Sequence, residues 1–294
     1  MNRIFAAVFA AIFFICASCS AYAPEGKLFV TMLDVGQGDA FLIETPTQNI
    51  LIDTGGVESR SKLVAQLNEL CIERLERVIL THPHADHIGG LRAVLDNFIV
   101  DEISDNGFKS RSPLYKDYRD AGIKISALKA GDVLNFGDAV KFKVLNPNPL
   151  VKFDAVNNQS IVGKLTFGDF SMLFAADAEK SLEDFLTDFD IAATVLKAPH
   201  HGSKTSSTEN FIANVKPEII LISAGKNNSF GHPHKSVLRT YRENFVLPQN
   251  IYCTAFNGRV RVESDGFNKA VLVEKENIWV DEYTGEVVTV TRLD

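Results

Sequence analysis

Thr81-His82-Pro83-His84-Ala85-Asp86-His87 sits between the apolar run RVILT (77–81) and a helical stretch (88–98), and it carries four ligand-type side chains within six residues. In an extended segment His82 and His84, two apart, project to one side, while Asp86 and His87 at the following turn point together at a second position nearby. Three imidazoles and a carboxylate suit two adjacent ions of the zinc, manganese or iron kind. A lone histidine reads as a satisfied core residue, but four such groups would be costly to bury without metal. A loop at the C-terminal end of a strand is also a place where active sites gather.

The other histidines lie in two short clusters, His200/His201 and His232/His234, which account for all seven in the 294 residues. Around them, apolar runs alternate with helical periods. KLFVTML (27–33), AFLIET (40–45) and NILID (49–53) read as an antiparallel meander broken at Gly36/Gly38 and Pro46. Leu63, Leu67 and Leu70 share one helical face ahead of the strand RVILT. The second half repeats this logic. KFKVLN (141–146), SIVGKLTFG (160–168), FSMLFA (170–175), ATVLKA (193–198), EIILISA (218–224), IYCTAF (251–256) and RVRVES (259–264) read as strands, with helices at 179–189, 208–215 and 235–245. The predicted class is α/β: two mixed sheets face to face with helices outside, an αββα sandwich. The domain spans 27–266, and a short β extension, 267–294, is appended to it.

Composition narrows the function. A formal charge of -7, from 30 Lys+Arg against 37 Asp+Glu, excludes an overall basic field for nucleic acid, so an anionic substrate must be met by local cations. Arg3 precedes an apolar stretch, IFAAVFAAIFFICA (4–17), too short to span a bilayer and read here as an export signal over 1–23. Cys16-Ala17-Ser18-Cys19 resembles a lipoprotein box with Cys19 as the lipid anchor, and Cys19-Ser20-Ala21 offers an ordinary cleavage site instead. The preferred location is the periplasm or the outer face of a bacterial envelope. Cys71 and Cys253 lie far apart and are expected to be small buried residues rather than a disulfide framework.

Five stretches in order, DVGQGDA (34–40), LIDTGG (51–56), HPHADH (82–87), FAADAE (174–179) and KAPHHGS (197–203), resemble the motifs of the metallo-β-lactamase fold. NNQSIVGKL (157–165) and FGHPH (230–234) are similar to one branch of it, the soluble hydrolase domain of the competence protein ComEC. The resemblance implies that His82 and His84 hold a first metal, that Asp86 and His87 hold a second, and that Asp177 bridges them. One of His200 and His201 completes the second site. His200, nearer the strand end, is chosen, which leaves His201 to substrate. Asp177 could alternatively be a helix cap. Asp53 is expected to brace the histidine loop from behind, whereas the role of Asp39 stays open. Two departures stand out: no histidine lies between His87 and His200, where many members of the fold place a third ligand, and Ala176 replaces a customary glycine. Asn157, Asn158 and Ser160 are expected to line the resulting gap, and a weakened first site favours Mn²⁺ over two tightly held Zn²⁺.

The expected activity is hydrolysis of a phosphodiester, with DNA as substrate, by a hydroxide shared between two divalent ions. Asp86 and Asp177 belong to that machinery, and His232 and His234 donate to the leaving oxygen. Ser203, Lys204 and Lys226 join His201, Asn158 and Ser160 as substrate contacts, with Lys235 nearby. No GxSxG motif supports a serine nucleophile. Two other readings are a hydrolase of phosphorylated envelope polymers or phospholipids and a non-enzymatic DNA-binding or envelope factor. Aromatic residues Phe230, Tyr241 and Phe256 are scattered in sequence and read as core.

Overall fold

The computed structural model describes residues 22–275 apart from residue 138, together with the strands Ile278–Val280 and Val287–Thr289. Residues 1–21 of the expected export segment, with the anchor at Cys19, lie outside the described residues, whereas the Ala23 amide donates to the Thr45 carbonyl. Among those residues, no helix is long and apolar enough to cross a membrane.

Two mixed sheets face each other. The first has the order Lys269–Val273, Val260–Ser264, Leu28–Met32, Phe41–Glu44, Asn49–Ile52, Arg77–Ile79, Glu102–Asp105, Lys124–Ala127. Its first five strands are antiparallel, as the meander predicts, and the rest join in parallel. The second runs Ile251–Cys253, Ile219–Ile222, Val195–Lys197, Phe170–Phe174, Val162–Phe167, Lys141–Asn146, Val133–Asn135, and its first four strands are parallel.

Side-chain alternation builds the layers. Leu28, Val30 and Met32 point between the sheets and meet Phe142, Val144, Met172 and Phe174 from the opposite one. Phe41 and Phe174 pack edge to face there, with ring centroids 5.6 Å apart. In Ile219–Ile222 the alternate residues Ile219 and Leu221 enter this core, while Ile220 and Ile222 face the outer helices Glu209–Val215 and Lys235–Glu243. A strand buried on both faces must be apolar throughout, which is why EIILISA is continuous rather than alternating. Leu63 and Leu67 of helix Arg60–Glu69 cover the outer face of the first sheet with Leu91 and Val94 of Leu91–Asn97. The sandwich is therefore αββα.

Three features depart from the sequence reading. Lys269–Val273, expected in an appended tail, is the edge strand of the first sheet, paired with Val260–Ser264; among the described residues beyond it, Ile278–Val280 and Val287–Thr289 pair antiparallel with each other. The helix expected at 88–98 is split into Ala85–Ile88 and Leu91–Asn97 around Gly89 and Gly90. There is no room at Gly90 for a side chain, since a Cβ would lie 2.0 Å from the Thr54 carbonyl oxygen. Cys253 is a buried free thiol, as expected, but Cys71 is half-buried and disulfide-bonded, so the two do not pair with each other.

Candidate metal centre

Asp53, the histidine loop, Asp177 and the His200–His201 turn converge where parallel strands of both sheets end. Asp53 ends the third strand with φ of 59° and turns its carboxylate back under the histidine loop. One oxygen accepts the Thr81 amide N–H at 2.8 Å, and the other accepts the Thr81 hydroxyl at 2.7 Å and faces His87 Nδ1 at 2.8 Å. That bond sets the tautomer of His87 and leaves its Nε2 free to face inward. Asp53 thus lies behind the histidine loop, in contact with both Thr81 and His87.

Two donor groups share Asp177. One comprises Asp86, His87, Asp177 and His201, the other His82, His84 and Asp177, with the donor atoms of each group within 4.8 Å of one another. His87 Nε2, His201 Nε2 and Asp177 Oδ1 are buried and make no hydrogen bond among the described residues. Buried polar atoms aimed at a common point are what a divalent cation would satisfy, so the residues fit the group. The second group has only three donors, consistent with the missing third histidine. Asp177 is not a helix cap; Glu179 stands at the N-cap of the helix Lys180–Leu186.

Here the expectation for His200 is corrected. His201, 1% exposed, directs Nε2 to within 3.3 Å of Asp86 and 3.5 Å of Asp177, because its Nδ1 donates to the Ser223 carbonyl at 2.9 Å. His200 is 21% exposed and turns toward Glu179 (3.4 Å) and Thr205, with Asp177 at 3.7 Å. The reason is the backbone. His200, His201 and Gly202 all have positive φ, a tight coil that sends neighbouring side chains in directions no regular strand would give.

Sequence reasoning missed the buried cation at the floor of the site. Lys197 shares the inter-sheet face of its strand with Val195, is 1% exposed, and meets Asp39 Oδ2 at 2.5 Å, the Ala176 carbonyl at 2.6 Å and Asp177 Oδ1 at 3.6 Å. Asp39, whose role was open, is therefore the partner of Lys197 and lies 3.3 Å from His201 Nδ1. Asp39, Asp53 and His87 also lie close together, but Lys197 and the Asp53–His87 bond already neutralise them. The available signal was an unexplained lysine, the first residue of KAPHHGS, at the end of an apolar strand.

Electrostatics follow from this crowding. Burial works to discharge His201, yet Asp177 and Asp39 hold it up to about 9. Burial likewise opposes charge on Asp86, but His87 and His201 hold it well below the ordinary carboxylate range. For His82 burial and the neighbouring His87 act together and push it well down, favouring the neutral form that ligates metal.

Other expected contacts resolve differently. Asn158 and Ser160 are buried and committed, so they do not line the gap. The Asn158 side-chain oxygen accepts the Glu179 amide N–H at 2.8 Å and its side-chain nitrogen donates to the Ser181 hydroxyl, while the Ser160 hydroxyl donates to the Asn157 backbone carbonyl. Asn157 bonds Glu179. Ser203 is buried in its turn against Thr205. Lys204 and Lys226 are exposed, and His232 and His234 are half-buried with Nδ1 atoms that lack a partner among the described residues. Tyr241 is core, as read, but Phe230 and Phe256 are exposed.

Residues 33–226 match the family model described as the metallo-beta-lactamase superfamily. The chain belongs to that superfamily. Within it, the chain is 35% identical over 251 residues to ComE operon protein 3 of Bacillus subtilis (strain 168), a match covering 76% of this chain and 31% of that protein. It is 30% identical over 223 residues to competence protein ComA of Neisseria gonorrhoeae (74% and 30%) and 32% identical over 238 residues to recombination protein 2 of Haemophilus influenzae (79% and 28%). These are the ComEC-like relatives that the motifs indicate, and the chain spans about three tenths of their length. Among solved structures, the metallo-beta-lactamase fold protein YhfI of Bacillus subtilis aligns with TM-score 0.52 at 16% identity, covering 77% of this chain and 95% of that one. A diphosphatase from the PhnP family aligns with TM-score 0.50 at 16% identity, covering 81% and 98%. Both likenesses concern the metallo-beta-lactamase fold alone.

Proposed function

We propose that this superfamily member is an exported, metal-dependent phosphodiesterase that hydrolyses DNA. The observation that carries the reading is the pair of donor groups joined through Asp177, the arrangement two divalent ions would need to sit side by side. Zinc or manganese bound there would supply Lewis acidity toward water and a phosphoryl oxygen. The competence proteins it resembles supply the preference for DNA and for an envelope location.

The chain's own residues divide the remaining work. His82 and His84 hold one side, Asp86, His87 and His201 the other, and Asp177 serves both. Asp53 fixes the His87 tautomer, and Lys197 with Asp39 keeps Asp177 and His201 in place from behind. Burial, reinforced by His201 and His200, pushes His232 down to about 4, so at neutral pH it meets a leaving oxygen as a neutral N–H donor. His234 stands beside it, with ring centroids 5.1 Å apart. Exposed Lys204 and Lys226 offer the local cations that an acidic protein needs for a polyanion.

The test is cleavage of end-labelled single-stranded DNA by purified protein, with Mn²⁺ or Zn²⁺ restored after chelation, beside a His82→Ala/Asp177→Ala variant. Metal-restored cutting that the variant lacks is expected. Absence of cutting by folded, metal-loaded protein overturns the reading and directs the search to phospholipid and envelope-polymer phosphodiesters.

A further inference from the structure

Phe230 is 62% exposed, yet it is not a stray surface hydrophobe. Its ring stacks on His232 at 5.5 Å between centroids and 23° between planes, and His232 in turn stacks on the buried His201 at 6.2 Å and 28°. His232 also meets His200 edge-on at 5.7 Å. Three near-parallel rings thus run from the donor group outward, and the outermost offers its ring to solvent.

The loop that carries these rings is built to hold them. The Asn228 side-chain oxygen accepts the amide N–H of Phe230 at 3.1 Å and of His232 at 3.0 Å, while its nitrogen donates to the carbonyls of Gly225 and His232. The His234 amide donates to the Gly202 carbonyl at 2.9 Å, tying the loop to the turn that presents His201. Gly202 has φ of 79°, and a Cβ there would lie 2.7 Å from Pro233, so the two loops touch with no space between them. A preorganised aromatic face loses little entropy when a flat ligand settles on it.

We infer that Phe230, backed by His232, is a stacking platform for an unpaired nucleobase flanking the scissile phosphate. This rests on the phosphodiesterase reading above and narrows its substrate class. A base presents a π face that every nucleotide shares, so stacking binds single strands without regard to sequence. Phospholipid headgroups and polyol phosphates carry no planar ring to fill the site. A base held in a duplex keeps both faces covered by its neighbours, so duplex DNA is the poorer substrate.

The experiment compares a single-stranded oligonucleotide with one that carries abasic sites on either side of the cleaved bond, using metal-loaded wild-type, Phe230→Ala and Phe230→Trp proteins. Wild type should show a KM about tenfold lower for the base-bearing strand, the size of one base–aromatic stack. Phe230→Ala should lose most of that preference, and Phe230→Trp should keep it. Stopped-flow quenching of a 2-aminopurine placed beside the cleaved bond, read before turnover, should follow the same order. An unchanged preference in Phe230→Ala, with cleavage present, overturns the platform and leaves the nuclease reading standing. Cleavage of neither strand by any of the metal-loaded proteins overturns the nuclease reading and the platform with it.

Discussion

At the scale of single residues, the site separates side chains that look equivalent in sequence. His200 and His201 are adjacent, but only His201 has Nδ1 pinned by a carbonyl and Nε2 facing two carboxylates. His201→Ala should therefore lower divalent-metal affinity at least about tenfold, and His200→Ala much less, as read by metal analysis after dialysis against graded chelator. Should both variants retain metal equally, the assignment of His201 fails. Lys197 makes a different prediction. Lys197→Met leaves Asp39 and Asp177 buried beside each other without their cation, and breaking a buried pair in this way costs about 3–5 kcal/mol. A lowered urea midpoint would register that loss even in metal-free protein. Asp39 is less legible from sequence, since aspartates beside glycines usually form turns; its role became visible only through the contact with Lys197.

Among the elements, helix Glu209–Val215 begins on a carboxylate. Glu183, from the facing helix Lys180–Leu186, accepts amide N–H groups from Ser207 and Thr208, and the Thr208 hydroxyl accepts the Phe211 amide N–H as N-cap. Burial pushes Glu183 up to about 7 despite those bonds. An acid that holds its proton more tightly when folded than when unfolded stabilises the fold fully below the unfolded pKa, and that contribution is lost as pH rises through 7. Wild type should accordingly lose roughly 2–3 kcal/mol between pH 4.5 and 7.5 relative to Glu183→Gln, which has nothing to titrate. Urea midpoints across that range would check it; parallel curves for the two proteins would refute it. Strand and helix identities were largely legible from periodicity, because half-buried strands alternate and doubly buried ones do not. The stretch from Ile99 to residue 140 carries no clear period, since its strands Glu102–Asp105, Lys124–Ala127 and Val133–Asn135 are short and polar at one or more positions.

For the whole molecule, the site is a seam between two sheets. Asp53 and the histidine loop come from the first sheet, and Asp177, Lys197 and His201 from the second, so a metal that ties them would also tie the halves of the sandwich together. Saturating Mn²⁺ or Zn²⁺ should raise the unfolding free energy by about 2.7 kcal/mol at a hundredfold excess over Kd, and chelation should reverse it. Thermal melting with and without chelator measures this, and the His82→Ala/Asp177→Ala variant should show little response. Gly38 packs two loops of the first sheet together beside the seam, and its carbonyl accepts the Ser223 hydroxyl from the second sheet. Its φ is 130°, and a Cβ would lie 2.2 Å from the Asp86 carbonyl oxygen, so Gly38→Ala should both destabilise the protein and displace Asp86. A Gly38→Ala protein with wild-type stability and metal content would refute that account.

What the amino-acid sequence determined by itself is whatever short-range spacing encodes. His82, His84, Asp86 and His87 lie within one turn-sized segment, so their ligand character needs no partner to be seen, and the unbroken apolar run in EIILISA marks a strand buried on both faces. Tertiary structure alone decided three things. It set the choice of His201 over His200, because consecutive positive-φ residues break the periodicity from which directions are inferred. It paired Lys197 with Asp39, residues whose charges cancel only when two distant strand ends meet in a space that excludes water. It also raised Phe230 onto His232, since a ring's neighbours depend on how one loop seats against another and not on the residues beside it in the chain.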